Sequence, residues 1–272
     1  MKTSHLNYGS CLLPLLLLCF SALQIQAQIP FYTDDADTTE RGKFHFEFFN
    51  EHDLLQHDLL PATRQNTSNF TLNYGVTERL EFDVNAPLIA IFASKTSEEP
   101  TRFGLGDTQF GLKYRFRDER EGSSVPAIGL AFYVEPPTGS KRKQLGSGLT
   151  DYYLYGIAQK SLSKTTVLRL NGGIVFAGNT STGLVGIEST HGHVYTANGS
   201  LVREFSPKLK LGVELFGAAT GSLQLSRGQL ETQFGGDYKL SDRFTLAFGV
   251  LAGRYTASPR LGVLVGMAYD FK

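Results

Sequence analysis

"KLSDRFTLAFGV" (residues 239–250) holds a short polar break at a hydroxyl residue, after which apolar residues alternate with polar or small ones. "GVTERLEFDV" (75–84), "SLSKTTVLRL" (161–170) and "EFSPKLKLGV" (204–213) follow the same plan. Ser and Thr favour a tight turn because their hydroxyls bond to backbone one or two residues on. The period-two pattern beyond each break puts one kind of residue on each face of an extended strand. A chain that repeats this corner is a β-meander.

Other segments carry the same alternation. Leu80, Phe82, Val84, Ala86 and Leu88 alternate with Glu81, Asp83 and Asn85. Phe110, Leu112, Tyr114 and Phe116 stand against Asp107, Gln109, Lys113 and Arg115. Leu209, Leu211, Val213 and Leu215 stand against Lys210 and Glu214, and Leu230, Phe234 and Tyr238 against Glu231, Gln233 and Asp237. One parity holds all the charge. No helical periodicity of useful length and no linker interrupts the chain beyond residue 27.

The corner residues Thr77, Ser163, Ser206 and Ser241 are separated by 86, 43 and 35 positions, and the doubled first gap has another polar break, "RDEREGSS" (117–124), near its middle. Five short turns therefore alternate with six wider connections near 53–66, 91–103, 136–148, 178–191, 218–227 and 254–260. That layout predicts an all-β, antiparallel up-and-down barrel of about twelve strands over residues 43–272, of the outer-membrane kind, with short turns at one end and longer loops at the other. A twelve-stranded barrel is too wide for an apolar lining to fill it, so the apolar face is expected to meet lipid and the charged face the lumen. A two-sheet sandwich is the competing architecture. It needs neither the turn asymmetry nor the charge gathered on one parity.

The start of the chain agrees with export. Lys2 precedes the apolar run "CLLPLLLLCFSAL" (11–23), too short for a spanning helix, and a cleavage site is expected after Ala27. Residues 28–42 then read as an exposed periplasmic lead-in. Cys11 and Cys19 both lie in the leader, and the bulky Leu18 before Cys19 argues against lipidation. The mature chain would thus have no cysteine and a charge near −1, with no basic arm or other nucleic-acid footprint.

The segments "PFYTDDADTTERGKFHFEF" (30–48), "GLGDTQFGLKYRF" (104–116) and "PPTGSKRKQLGSGLTD" (136–151) resemble the exported barrel family named for the MetA pathway of phenol degradation. The resemblance rests on the Thr-Asp-Asp-Ala start, the Gly-Leu-Gly-Asp strand entry and the Pro-Thr-Gly loop. It implies an outer-membrane transporter barrel, sometimes linked to aromatic catabolism, and brings no catalytic residues with it.

The candidate lumen-lining residues are Glu81, Asp83, Asp107, Lys113, Arg115, Lys210, Glu214, Glu231 and Asp237. Their mixed signs suit a neutralised, closed interior as well as a weakly selective solute pathway. Gly266, Tyr269 and Phe271 resemble the terminal signal read by the barrel-assembly machinery, with Lys272 one residue beyond the aromatic end. With no Trp, an aromatic girdle would draw on Tyr and Phe, for which "DYYLYG" (151–156) is a candidate source. "EHDLLQHDLL" (51–60) is expected to form a solvated helical turn rather than a metal site, and "TDDAD" (33–37) lacks the spacing of a calcium loop.

No metal or cofactor is expected. The expected partners are outer-membrane lipid, the assembly machinery and a small aromatic or hydrophobic solute. The leading reading is a passive outer-membrane transporter and not an enzyme. A lipid-modifying barrel enzyme is the alternative, for which His193 and Ser200 would have to meet. A structural barrel without transport is the third reading.

Overall fold

The computed structural model describes residues 29–177, 192–219 and 229–271. The expected leader, the connection 178–191, most of the connection expected at 218–227, and Lys272 lie outside the described residues. Thirteen strands are formed: β1 (Phe44–Leu54), β2 (Ala62–Gly75), β3 (Leu80–Ala93), β4 (Arg102–Leu105), β5 (Gln109–Arg117), β6 (Ala127–Glu135), β7 (Asp151–Ser161), β8 (Thr166–Ala177), β9 (Gly192–Ser206), β10 (Leu209–Ala219), β11 (Gln229–Lys239), β12 (Phe244–Gly253) and β13 (Leu261–Asp270). Each pairs antiparallel with its neighbour, and β1 pairs with both β2 and β13, so the sheet closes on itself. β4 and β5 both pair with β3, at Leu88–Ile91 and Leu80–Asn85 respectively, and together fill one position of the ring. The barrel is therefore twelve-stranded.

The repeated corner has a common construction. Thr77 Oγ1 accepts from Arg79 N and Leu80 N, at 3.2 and 3.0 Å. Ser206 Oγ accepts from Lys208 N and Leu209 N, and Ser241 Oγ from Arg243 N and Phe244 N. Ser163 Oγ accepts from Thr165 N. In each case the hydroxyl occupies amide donors that the strand ladder cannot reach, which is why the same residue type recurs.

The fifth turn differs. Residues 118–126 make a nine-residue connection, longer than the seven residues, 55–61, between β1 and β2. The expected strict alternation of lengths fails there because Glu119 folds the longer turn back against β7. Its carboxylate pairs with Lys160 and accepts from Ser161 N at 2.9 Å. Burial opposes the charge, but the bonds from Lys160 and Ser161 hold the Glu119 carboxyl below its ordinary value. The stretch expected as a helical turn at 51–60 also differs, since β1 continues through Leu54 and only His57–Leu59 form a single 3-10 turn. The period-two pattern carries on through Glu51 and Asp53, both buried, and overrides the helical reading.

The outward face is apolar. Phe82, Phe110, Leu112, Val213, Leu215, Phe234, Val250 and Val263 are exposed, with Val265 at 61%. The opposite parity is polar and buried, including Glu47, Gln65, Glu81, Arg169, Ser200 and Gln233. A soluble barrel would bury the first set and expose the second. The inversion is that of a transmembrane β-barrel, as the charge parity predicts.

Candidate lumenal site

Residues 29–41 do not hang free below the barrel. They run inside it, which corrects the expectation of an exposed lead-in: Thr33, Asp35 and Ala36 are at most 1% exposed. The segment enters at the short-turn end, where Arg41 bridges to Gly75 and Gly42 N donates to Gly75 O at 2.7 Å. Gly75 is required there by space, since a Cβ would lie 2.2 Å from Glu40 O.

Inward-facing strand side chains then capture the segment in order. Thr39 N donates to Glu81 Oε2 at 2.5 Å, and Asp37 accepts from Gln159 and from Arg115. Asn171 makes two bonds to Asp34, accepting from its N–H at 2.7 Å and donating to its carbonyl at 2.9 Å. Glu214 accepts from Tyr32 N, Thr33 N and the Thr33 hydroxyl. Beyond Tyr32 the segment crosses the lumen, with Gln233 donating to Pro30 O and Ile29 packed on Ala247 and Ala268.

The electrostatic centre of this plug is Lys113, 1% exposed. Its ammonium lies 3.1 Å from Asp34, 3.1 Å from Glu81 and 3.8 Å from Asp35, while Arg169 reaches Asp35 at 3.4 Å. The acidic cluster expected to be solvated in the periplasm supplies the counter-charges for cations on the barrel wall. Buried charges persist only when paired in this way. The sequence signal was available: "TDDAD" at 33–37 has an inward-parity partner in Lys113 and Arg115, but nothing local says that the two meet.

Beside the plug lies a cavity of about 340 Å³ that runs from Asn73 and Asp83, near the β2–β3 turn, to Asp107, Gly146 and Gln229 at the long-loop end. One side of it is Ile29, Phe31, Tyr32 and Asp34 of the plug, and its wall includes Asp83, Asp107, Tyr133, Glu135, Tyr153 and Tyr155. Tyr153 and Tyr155 fall within "DYYLYG", the candidate source of an outer girdle, yet of its three tyrosines only Tyr152 is exposed. The polar residues Asp151 and Gln159 at either end of the strand share the parity of Tyr153 and Tyr155, which marks these tyrosines as inward. Tyr133 shares parity with Glu135 in the same way. Two glycines seat the rings: a Cβ at Gly111 would lie 2.2 Å from the Tyr133 ring, and one at Gly173 2.3 Å from the Tyr155 ring. Both glycines are the direct cross-strand partners of those tyrosines, so each ring lies along the wall beside its own strand.

The sequence-nominated residues divide into groups. Glu81, Lys113, Arg115 and Glu214 hold the plug. Asp83 lies on the cavity wall. Asp107 also lines the cavity but is bonded to loop backbone, accepting from Gly139 N and Ser147 N at 2.7 Å each. It thereby ties the β4–β5 break to the loop 136–150. Glu231 is buried at the long-loop end of β11, while Lys210 and Asp237, half-buried, pair across β10 and β11 near the short turns.

The mixture of signs expected of the lumen separates along the axis. Lys113, Arg115 and Arg169 sit with the plug, whereas the long-loop half holds Glu51, Asp53, Glu135, Asp151 and Glu231. His193 is exposed and Ser200 buried, on opposite faces of β9, so they do not form a nucleophile–base pair. His52 and Asp53 lie in β1 and His57 and Asp58 in the turn beyond it, and among the described residues no cluster has the ligands to hold a metal ion.

The fold has solved counterparts. An outer membrane channel from Pseudomonas putida F1 superposes with a TM-score of 0.70 at 13% identity, covering 87% of this chain and 98% of that one. The KdgM porin superposes at 0.54 and 13% identity, covering 84% and 99%. The translocator domain of the autotransporter NalP from Neisseria meningitidis superposes at 0.51 and 12% identity, covering 87% and 91%. No curated protein matches the chain by sequence. The family described as "Putative MetA-pathway of phenol degradation" matches residues 24–271, nearly the whole chain, and this protein belongs to that family.

Proposed function

We propose that this protein is a passive channel in the bacterial outer membrane for small aromatic or hydrophobic solutes. The observation that carries the reading is the cavity of about 340 Å³ beside the plug, whose lining includes two groups of packed rings, Tyr32 with Phe49 and Phe216, and Tyr133 with Tyr155. A benzene-sized molecule fits a void of about 150 Å³, so a single aromatic ring with substituents is accommodated. The outward apolar face supports residence in lipid. The outer membrane channel and porin on which the barrel superposes support transport, and His193 and Ser200, on opposite faces of β9, do not form the pair the hydrolase alternative needs. Gly266 and Tyr269 on the last strand, beside β1, and Phe271 just beyond it are proposed as the signal for the assembly machinery.

Liposomes carrying the purified protein should swell in a neutral monoaromatic solute such as benzyl alcohol faster than protein-free liposomes. Swelling equal to the control, together with acyl release from phospholipid that His193→Ala abolishes, would replace the channel by an enzyme.

A further inference from the structure

The cavity wall is chemically one-sided. Among the described residues six carboxylates line it (Asp34, Glu47, Glu51, Asp83, Asp107 and Glu135), and no Lys, Arg or His does. Five of the six have strong partners: Asp34 has Lys113, Glu47 has His45, Glu51 has the Tyr32 hydroxyl, Asp107 has two backbone N–H groups and Glu135 has the Tyr153 hydroxyl. Asp83, 5% exposed, makes no ion pair within 4.0 Å among the described residues, although Glu81 and Lys113 lie close enough to act on its charge. The donor it meets is the Tyr133 hydroxyl, 3.5 Å from Oδ2, and its Oδ1 has no hydrogen-bond partner. Asn73, its direct cross-strand partner, and Asn85, two residues along β3, each also keep a buried oxygen without a donor.

A cluster of acceptors without donors is costly unless a ligand supplies them. Tyr133, whose hydroxyl approaches Asp83, packs against Tyr155 with ring centroids 6.2 Å apart, and Tyr155 packs against Tyr153 at 6.0 Å. Ring faces attract cations through their quadrupole, and a carboxylate beside them adds a charge-assisted hydrogen bond. Resting on the channel reading above, we propose that the cavity is a recognition site for small organic cations. The ammonium group sits at Asp83 with Asn73 and Asn85, and the aromatic or alkyl body lies against Tyr133 and Tyr155.

The test is equilibrium dialysis of the detergent-solubilised barrel at low ionic strength, with benzylammonium, benzyl alcohol and benzoate as probes of one size and three charges. Benzylammonium should bind about tenfold or more tightly than benzyl alcohol, the worth of one charged hydrogen bond, and benzoate most weakly. Asp83→Asn, checked for folding by its gel mobility before and after boiling, should erase the preference for benzylammonium over benzyl alcohol. If that variant does not fold, Tyr133→Leu reads the same site, and the preference should again fall. Equal binding of the three probes, or a preference that survives substitution, overturns the cation site. Swelling assays on the same preparation separate the two readings. Passage of all three probes with no binding preference keeps the channel and removes the site, whereas selective binding with no passage keeps the site and removes the channel.

Discussion

Lys113 is the residue on which most of the interior electrostatics converge. Three carboxylates lie within 4.0 Å of its ammonium, two of them from the plug and one from the wall. Removing one member of a buried ionic cluster leaves the others uncompensated, at a cost of about 3–5 kcal/mol. Lys113→Met should therefore lower the unfolding temperature sharply and raise conductance, because Asp34 and Asp35 lose the charge that holds the plug. Lys210→Ala, at a half-buried position near the short-turn end, should change both far less. A conductance unchanged in Lys113→Met would mean that the plug is held by its backbone bonds to Glu214 and Asn171. Gly111 makes a second residue-scale case: Gly111→Ala would drive the Tyr133 ring from its seat toward the lumen, and the change should appear in near-ultraviolet circular dichroism without loss of the barrel.

At the scale of elements, the strands and the plug obey different rules. Each strand but β4 is stabilised by ladders to two neighbours and by lipid on its apolar side, so its outward residues tolerate little polarity. Val213, near the middle of β10 and exposed, tests this directly. Val213→Arg should cost about 2–4 kcal/mol of folding free energy in lipid, measured by reversible urea unfolding in vesicles. A smaller loss than that caused by Glu214→Ala, its inward neighbour, would mean that plug contacts outweigh the lipid face. The plug has no ladder of its own and depends on side chains from β3, β5, β7, β8, β10 and β11. Deleting residues 30–40 while keeping residues 1–29 should leave a heat-modifiable barrel with higher conductance.

At the scale of the whole molecule, closure of β1 onto β13 leaves, among the described strands, only the four-residue β4 without a second partner, so no long sheet edge is free for unfolding to begin at. The folded protein should migrate differently on denaturing gels before and after boiling, and a chain that stays soluble without detergent would contradict the membrane assignment. The axial separation of charge has a consequence for ions. The cations are neutralised by the plug and the long-loop half is acidic, so a salt gradient across a planar bilayer should give a reversal potential of the sign expected for cation selectivity. A reversal potential near zero would favour the weak selectivity that a simple mixture of signs implies.

The barrel is written in local pattern. Strand alternation and turn chemistry are local: Ser206 and Ser241 cap the donors next to them, and Phe110, Leu112 and Tyr114 share a face whatever lies across the sheet. The lumenal parity of Glu81, Lys113 and Glu214 was legible for the same reason. What fills the lumen depends on contacts between distant segments. The plug joins Asp34 to Lys113 and Thr33 to Glu214, contacts spanning 79 and 181 positions, and no local pattern encodes such pairings. Nor could alternation alone tell that Tyr133 and Tyr155 would stand together beside that plug. Their inward parity is a property of each strand, but their meeting depends on the register of β6 against β7, which ring closure and the glycine seats set together.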